Sequence, residues 1–311
     1  MKKSLIALAV LAASGAAMAQ SSVTMYGVAD LSLAKSKGVS AEMSGNGLMN
    51  NGTSRLGVRG VEDLGGGLKA SFNFEQGINA ENGATSSNTF ERAAWVALSG
   101  GFGKLQMGRA VTPSWVGTSA WELTGMSNYS VVLNQFSAAG AANRQNSQFI
   151  YSTNNYSGFS GSLGYTLKTD NGGNAKTDLN LVYANGPLAA ALAYNKVKNG
   201  DKGLSLGASY DFGSVKIAGS LQDTDKVLST IDPRGFTLGA TVPFGAFSVT
   251  LDVARDTEYK DTDVLVEGKY ALSKRTFAYA AYYKDGDKKP SSYTSVPYAK
   301  NHLGLGIRHN F

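Results

Sequence analysis

The stretch that decides the fold is Thr53–Lys69, with the sequence TSRLGVRGVEDLGGGLK. Leu56 and Val58 lie on one parity of this segment, and Arg55 and Arg59 lie on the other. Because successive side chains of a strand point to opposite faces, a strand here would have one apolar face and one charged face. Charges are costly to bury unless they are paired. We therefore expect a strand with one face in water, closed by a glycine-rich turn that tolerates positive φ.

The same two-residue period recurs along most of the chain. In Leu204–Phe212, LSLGASYDF, apolar side chains alternate with small or polar ones, which is typical of a strand with one apolar and one wet face. Most candidate strands are close to the roughly 9–11 residues that a tilted strand needs to cross a bilayer. Sixteen strands are predicted, at 23–36, 53–63, 68–77, 88–99, 103–110, 145–153, 158–168, 177–185, 188–198, 203–212, 214–223, 234–243, 245–257, 261–272, 274–285 and 300–311.

The links between these strands alternate between short turns and long polar segments, the longest being Val111–Arg144. This is the arrangement of outer-membrane barrels, whereas a soluble β-sandwich has no reason to sort its loops in this way. Several tyrosines lie on the apolar parity near strand ends. They favour aromatic girdles at the membrane interfaces, although tyrosine also favours strands in general. These tyrosines are Tyr151, Tyr165, Tyr183, Tyr194, Tyr210, Tyr270 and Tyr283.

The N-terminus has the features of a secretory signal peptide. Two lysines precede an apolar run at Leu5–Ala13, and the motif AMA that ends at Ala19 matches an A-x-A cleavage site. The apolar run is too short to span a bilayer as a helix, which takes about 20 residues. We expect cleavage after Ala19, which divides the chain into a signal peptide at 1–19 and one barrel domain at 20–311.

Composition excludes several classes of protein. The formal net charge of +6 falls to +4 without the two lysines of the signal peptide, and the chain has no lysine- or arginine-rich run of the kind that binds nucleic acid. Cysteine is absent, which excludes thiolate chemistry and thiolate metal sites. With two histidines in the whole chain, neither a metal nor a cofactor is expected.

Five segments, spread along the chain, carry a family likeness. They are VTMYGVADLSL at Val23–Leu33, SRLGVRGVEDLGGGLKASFNFE at Ser54–Glu75, RAAWVALSGGFGKLQMGR at Arg92–Arg109, RQNSQFIYSTNNYSGFSG at Arg144–Gly161 and GLGIRHNF at Gly304–Phe311. Together they resemble the trimeric general porins of the Gram-negative outer membrane, in the form typical of β-proteobacteria. The resemblance implies an all-β fold, a 16-stranded antiparallel transmembrane β-barrel whose long third loop, Val111–Asn143 here, folds into the lumen.

The resemblance also implies a pore constriction lined by arginines on one wall. The matching positions are Arg55, Arg92 and Arg144, and Arg59 shares the strand parity of Arg55. The opposite wall is acidic in the family and is carried by the third loop, whereas this loop offers only Glu122. Further candidates for the lumen are Arg109, Lys69, Asp30, Glu75 and Arg308.

These positions predict a mild preference for anions. Rings of arginine and lysine favour anions, and a charged cleft concentrates the opposite ion. The arginines could equally brace the strands by pairing with neighbouring carboxylates. Both roles are compatible with the sequence.

The C-terminus ends in Phe311 after alternating apolar residues. This ending resembles the recognition tail used by the outer-membrane assembly machinery, although any closing strand would have the same pattern. The implied partners are that machinery, outer-membrane lipid and lipopolysaccharide, two further copies of the chain in a homotrimer, and small hydrophilic or anionic solutes. The implied localisation is the cell outer membrane.

A membrane-embedded hydrolase is one alternative function, and a non-conducting structural or adhesin barrel is another. His302 and His309 lie seven residues apart and would face opposite sides of the last strand. No nucleophile elbow is expected, because the one Gly-x-Ser-x-Gly match, GLSLG at Gly203–Gly207, lies within a predicted strand and not at a strand-to-helix turn. About 8 strands fill the interior of a barrel, whereas about 16 leave an aqueous channel. We therefore expect no catalytic residue and a passive diffusion channel for small hydrophilic solutes and ions.

Overall fold

The computed structural model describes residues 21–86, 88–137, 143–225, 232–286 and 300–311. These residues form one antiparallel sheet that closes into a barrel of sixteen strands, with one further strand of three residues in the first long link. The signal peptide predicted at 1–19 lies outside the described residues. The strands are β1 Ser22–Ser36, β2 Glu42–Ser44, β3 Arg55–Gly65, β4 Leu68–Gly77, β5 Ala93–Gly100, β6 Gly103–Val111, β7 Arg144–Ser152, β8 Phe159–Thr166, β9 Lys176–Asn185, β10 Leu188–Val197, β11 Lys202–Asp211, β12 Lys216–Asp225, β13 Arg234–Phe244, β14 Phe247–Asp256, β15 Asp261–Ala271, β16 Thr276–Lys284 and β17 Asn301–Asn310.

Strand β1 closes the barrel because it pairs along both edges. Residues Ser22–Val28 pair with β3, and residues Val28–Ser36 pair with β17. The short strand β2 continues the first edge by pairing with Ser32–Ala34. Closure leaves no long unpaired edge among the described strands.

The predicted strands are confirmed, and all but one have both ends within two residues of the predicted limits. The exception is β5, which begins at Ala93 rather than at residue 88. Just before it, Oε1 of Glu91 accepts a hydrogen bond from the amide of Gly77 at 3.0 Å. This contact holds the chain in a bend where the sequence pattern alone suggests extended backbone. The short strand β2 was not predicted.

The two faces of the wall have opposite chemistry. On β11, Leu204, Leu206 and Tyr210 are exposed on the outer surface, whereas Ser205 and Ser209 are buried on the lumen side. The arrangement inverts that of a soluble protein, because the exposed face is apolar and the enclosed face is polar. It is the arrangement of a barrel whose outside contacts lipid.

One predicted girdle tyrosine lies on the wrong face. Tyr283 is 1% exposed and points into the lumen, where its hydroxyl donates to Oδ2 of Asp263 at 2.6 Å. The outward position at this level is taken by its neighbour Tyr282. Adjacent tyrosines make the apolar parity ambiguous, and the lumen carboxylate selects the one that faces inward.

The third loop, of which residues 112–137 and 143 are described, folds into the barrel and contains two short helices. They are α1, Pro113–Ser119, and α2, Val131–Phe136. Thr112 caps α1 by accepting a hydrogen bond from the amide of Trp115 at 3.4 Å, and proline follows at the first helical position. In the described part of the chain, no helix is both long and apolar enough to cross a bilayer.

The loop packs on the inner wall opposite β3–β7. Trp121, Val132 and Phe136 are fully or almost fully buried, and they belong to one apolar cluster with Ala218 and Leu265 of the wall. A glycine makes this approach possible, because a Cβ on Gly207 would lie 2.1 Å from the ring of Trp121. The lumen is therefore filled on one side by the loop and remains open on the other.

Candidate pore constriction

The open side of the lumen contains a cavity of about 680 Å³ between the third loop and the wall. We call it the constriction cavity. Its charged lining residues in the described chain are four arginines and one glutamate. The lining consists of Asn51, Gly52, Thr53, Arg55, Glu75, Arg92, Val111, Trp115, Ser119, Gly125, Met126, Asn128, Leu133, Ser137, Asn143, Arg144 and Arg308.

Three of the arginines reach the cavity because of their place in the topology. Arg55 and Arg144 are the first residues of β3 and β7, and Arg92 immediately precedes β5. Each of these strands begins where a long link returns to the wall, and alternate strands of an antiparallel barrel run in the same direction. The three guanidinium groups therefore converge at the same level of the barrel.

Glu75 is the carboxylate at the centre of this cluster. Nε of Arg92 lies 2.7 Å from its Oε1, and Nε of Arg55 lies 3.7 Å from its Oε2. The hydroxyl of Tyr26 donates to the same Oε2 at 2.8 Å. Arg55 and Arg92, which are far apart in the sequence, thus contact the same carboxylate. These are the bracing contacts that the sequence analysis considered.

The other two arginines of the cavity are bonded to neutral oxygens. Nε of Arg144 donates to the carbonyl oxygen of Arg92 at 2.7 Å. Nη1 of Arg308 donates to Oδ1 of Asn51 at 2.8 Å. Four guanidinium groups therefore face the cavity against one carboxylate, so the described lining has a formal charge of +3. Such a lining attracts anions electrostatically.

Glu122 does not line the constriction cavity, and its predicted place there is wrong. The side chain is buried at 5% exposure. Its carboxylate accepts hydrogen bonds from the amides of Thr124 and Met126 at 2.9 and 2.8 Å, and from the hydroxyls of Thr124 and Ser130 at 2.6 and 2.8 Å. The Glu122 carboxylate therefore stabilises the turn of the third loop through hydrogen bonds within the loop. Where the loop borders the cavity it presents uncharged residues, including Gly125, Met126 and Asn128.

Asp30 also lies behind the cavity rather than in its lining. It is fully buried and accepts hydrogen bonds from the Tyr279 hydroxyl at 2.6 Å, the Asn50 side chain at 3.0 Å and the Gly52 amide at 3.1 Å. These contacts hold the end of the first long link inside the barrel. We call residues 47–52, at the end of this link, the inward segment. It includes Asn51, whose side-chain oxygen accepts the hydrogen bond from Arg308.

The inward segment was missed from the sequence. Asn51 contacts several distant parts of the chain, since its side chain also donates to the Tyr129 hydroxyl at 2.9 Å and its backbone N–H donates to the Tyr279 hydroxyl at 3.0 Å. The side chain of Asn128 donates to the carbonyl of Gly47 at 2.9 Å and joins this segment to the third loop. The motif MNNG before Thr53 is a turn signal, but it does not indicate that the turn points into the lumen.

Wall residues anchor the third loop at both of its helices. Asp178 accepts from the amide and the hydroxyl of Ser114 at 2.6 and 3.0 Å, next to α1. Glu267 accepts from the hydroxyl of Tyr129 at 2.6 Å and pairs with Lys269 at 2.9 Å, close to α2. Nζ of Lys269 in turn donates to the carbonyl of Thr124 at 3.2 Å. The loop is fixed by buried polar contacts as well as by apolar packing.

The remaining predicted residues lie outside the constriction cavity. The guanidinium of Arg59 lies 5.0 Å from the centre of the Tyr26 ring. Arg109 donates to the carbonyl of Glu91 and to Oδ1 of Asn146, and Lys69 is exposed near the turn between β3 and β4. At the C-terminus, Phe311 and Gly27 exchange two backbone hydrogen bonds of 3.0 Å each.

Comparison with known proteins places this geometry in a family. The chain matches the family model described as Gram-negative porin over residues 5–290. It is 38% identical to outer membrane porin protein 32 of Delftia acidovorans, over 92% of this chain and 91% of that protein. It is 32% identical to an outer membrane porin of Bordetella pertussis, over 80% of this chain and 77% of that protein.

Solved structures agree with the sequence relatives. The anion-selective porin from Comamonas acidovorans superposes with a TM-score of 0.77 at 28% identity, covering 94% of this chain and 100% of that chain. The trimer form of OmpT from Vibrio cholerae shares the fold with a TM-score of 0.68 at 16% identity, covering 94% of this chain and 99% of that chain. A closed barrel, an inserted loop and a family match over most of the length lead to one conclusion: the chain belongs to the Gram-negative porins, the channel proteins of the outer membrane.

Proposed function

We propose that this porin is a passive diffusion channel for small hydrophilic solutes and ions, with a mild preference for anions set at the constriction cavity. The observation that carries the proposal is the ratio of four guanidinium groups to one carboxylate in the described lining. A positive ring lowers the energy of an anion in the narrow part of the pore and raises that of a cation. The similar porin from Comamonas acidovorans is anion-selective, which agrees with this direction.

Glu75 limits the preference without cancelling it. It contacts Arg92 and Arg55, while Arg144 and Arg308 are bonded to uncharged oxygens. Arg55 and Arg92 therefore brace the wall and also contribute to the net charge of the lining, whereas Arg144 and Arg308 contribute charge without a carboxylate contact in the described ion pairs. A preference that is mild rather than strong follows from this partial neutralisation.

The test is a reversal-potential measurement across a KCl gradient in a planar bilayer. The reversal potential of the wild type should be displaced from zero toward the equilibrium potential of chloride. The variants Arg92→Ala and Arg144→Ala should each have a reversal potential closer to zero. Arg109→Ala is the matched control, because its guanidinium lies outside the cavity lining. An unchanged ion preference in both cavity variants would remove the selectivity role from the arginines. No stepwise current at all from wild type would instead favour a non-conducting barrel or a hydrolase.

We also propose a homotrimer, export through a signal peptide at 1–19, and recognition of Phe311 by the assembly machinery. The trimer is supported by analogy with the trimer form described for the Vibrio cholerae protein. Mass measurement of the detergent-solubilised protein from outer membranes tests both the oligomer and the mature N-terminus. A monomer, or a chain that retains Met1, would contradict the corresponding part of the proposal.

A further inference from the structure

A tryptophan faces the lumen next to the constriction cavity, on the side of the short turns. Trp95 of β5 lies three residues after Arg92, and the following residue, Val96, is exposed on the outer face. The opposite parity of Trp95 directs its ring into the barrel. Its partner in the register is Asn73 of β4, whose side chain donates to the Tyr26 hydroxyl at 2.8 Å inside the barrel. Large rings usually lie at the outer interfaces of a barrel, so an indole on the polar face needs a separate explanation.

A lysine reaches over the same ring. Lys104 is the second residue of β6, and its Nζ lies 5.4 Å from the centre of the Trp95 ring. This distance is within the range of a cation–π contact. The described ion pairs do not include Lys104. Its ammonium therefore has an aromatic neighbour but no carboxylate partner in the described part of the chain.

A cavity of about 250 Å³ lies between these two side chains and α1 of the third loop. We call it the indole pocket. Pro113 and Val116 of α1 and Ile150 of β7 form its apolar walls, and Val116 is exposed although it is apolar. Val111 lines both the indole pocket and the constriction cavity. A solute that leaves the constriction toward the short turns therefore passes directly beside the indole pocket.

The polar part of the lining is small and carries a positive charge. Lys104 is the one charged residue in the described lining, and Gln106 follows it on the same face of β6. The hydroxyls of Ser152 and Ser162 are hydrogen-bonded to each other at 2.9 Å. An aromatic ring, apolar walls and one ammonium group thus border a single recess in the lumen. This combination is complementary to an apolar ring that carries one negative charge.

We propose that the indole pocket binds aromatic monocarboxylates, of which benzoate is the simplest, as they pass through the channel. The ring of the ligand would pack between Trp95 and Val116, and its carboxylate would accept hydrogen bonds from Lys104 and Gln106. The inference rests on the proposed function in one respect, since the ligand must reach an open lumen. It does not depend on the ion preference set at the constriction cavity.

Size and wall chemistry select this class of ligand. A cavity of about 150 Å³ is enough to hold benzene in another protein. The indole pocket, at about 250 Å³, therefore has room for one ring and one carboxylate. A cationic ligand would be repelled by Lys104. A sugar would need hydrogen-bond partners around its whole rim, whereas Pro113, Val116 and Ile150 offer only apolar side chains.

The test is a benzoate titration of the detergent-solubilised full-length protein, followed by saturation-transfer NMR. The variants are Trp95→Leu, which removes the aromatic face, and Lys104→Gln, which removes the charge. The matched controls are Phe102→Leu and Lys69→Gln, which make the same changes outside the described lining of the pocket. The dissociation constant for benzoate should rise about fivefold in each pocket variant and stay unchanged in both controls. Circular dichroism should show the same β-sheet spectrum for all five proteins, as a check on folding.

Two analogues of benzoate test the two halves of the ligand. Benzamide lacks the negative charge, and cyclohexanecarboxylate lacks the aromatic ring. Both should bind the wild type more weakly than benzoate. Lys104→Gln should abolish the advantage of benzoate over benzamide, and Trp95→Leu should abolish its advantage over cyclohexanecarboxylate. Wild-type protein that binds all three ligands equally would overturn the proposal.

Other outcomes separate the indole pocket from the constriction and from the conduction proposal. Equal benzoate affinity of the wild type, Trp95→Leu and Lys104→Gln would overturn the proposal and leave the contact between these side chains as a brace of the wall. A loss of binding confined to Arg92→Ala and Arg144→Ala would also overturn it, because benzoate would then bind at the constriction. Glucose that binds as tightly as benzoate would overturn the ligand class. Because the NMR measurement needs no current, benzoate binding by a wild type that passes no stepwise current would support the pocket and contradict the diffusion channel.

Discussion

At the scale of single residues, the balance of charge in the constriction cavity depends on Glu75. This carboxylate contacts Arg92, Arg55 and the Tyr26 hydroxyl. Glu122, which looked like the acidic counterpart in the sequence, is instead satisfied by four donors within its own loop. The acid that opposes the arginines therefore lies on the same wall as they do, and the facing loop contributes no charge from its described residues to the lining.

Replacing Glu75 with glutamine should strengthen the anion preference. The substitution raises the formal charge of the described lining from +3 to +4 and keeps a side chain that can still hydrogen-bond Arg92. The reversal potential across a KCl gradient should move further toward the chloride side. Glu62→Gln on the outer face of β3 is the matched control and should leave the potential unchanged. A shift of Glu75→Gln toward cations would contradict the assignment of the charge balance to this cavity.

At the scale of elements, the third loop is an internal wall of the channel rather than a flexible lid. Asp178 holds the start of α1, and Glu267 and Lys269 hold the segment before α2. The inward end of the first link contacts the same segment through Asn51 and Tyr129. The position of the loop therefore depends on a few buried hydrogen bonds in which charged groups take part. Removing one partner of such a bond is costly, because the other partner is then buried without a hydrogen bond.

Replacing Tyr129 with phenylalanine should loosen the loop without emptying its apolar packing. The fully buried hydroxyl donates to Glu267 and accepts from Asn51, and both partners would lose it. We expect a loss of about 1–3 kcal/mol in the stability of the loop contact. Open-channel current noise should increase, while the mean ion preference should persist. Tyr156→Phe, at a tyrosine that is 62% exposed, is the control. Noise equal to that of wild type would mean that apolar packing alone fixes the loop.

The elements themselves were predictable from the sequence because a bilayer imposes a strict two-residue period on each strand. Arg55 and Glu75 were assigned to the lumen in this way, and both line the constriction cavity. The prediction that Tyr283 faces the membrane is wrong. Tyr282 and Tyr283 are adjacent and point to opposite faces, so the period alone does not tell which of them faces outward. The roles of Asn51 and Glu122 could not be read from the period, because both depend on how two long loops fold into the lumen.

At the scale of the whole molecule, closure brings together residues from the two ends of the chain. Arg308 of β17 contacts Asn51, and Tyr279 of β16 contacts Asp30 of β1. The constriction cavity is therefore complete only when the last strand has joined the first.

Replacing the last residue tests whether the proposed recognition during assembly is separate from closure of the barrel. Phe311 exchanges two backbone hydrogen bonds of 3.0 Å with Gly27. Its ring packs directly over Gly27, since a Cβ at that position would lie 2.3 Å from the ring. Because the backbone bonds do not need the ring, Phe311→Ala should still refold in detergent and conduct with the wild-type unit conductance. If the assembly machinery recognises the ring as proposed above, the amount of this variant in the outer membrane of cells should fall severalfold.

Phe212→Ala is the matched control for this change, because Phe212 is 60% exposed on the outer face near the short turns. It should accumulate in the outer membrane like wild type. Equal failure of Phe311→Ala in detergent and in cells would assign the ring to packing over Gly27, and recognition would then require another signal. Normal accumulation of Phe311→Ala would remove the assembly role altogether, leaving the backbone bonds to Gly27 as the contribution of the terminal residue to closure.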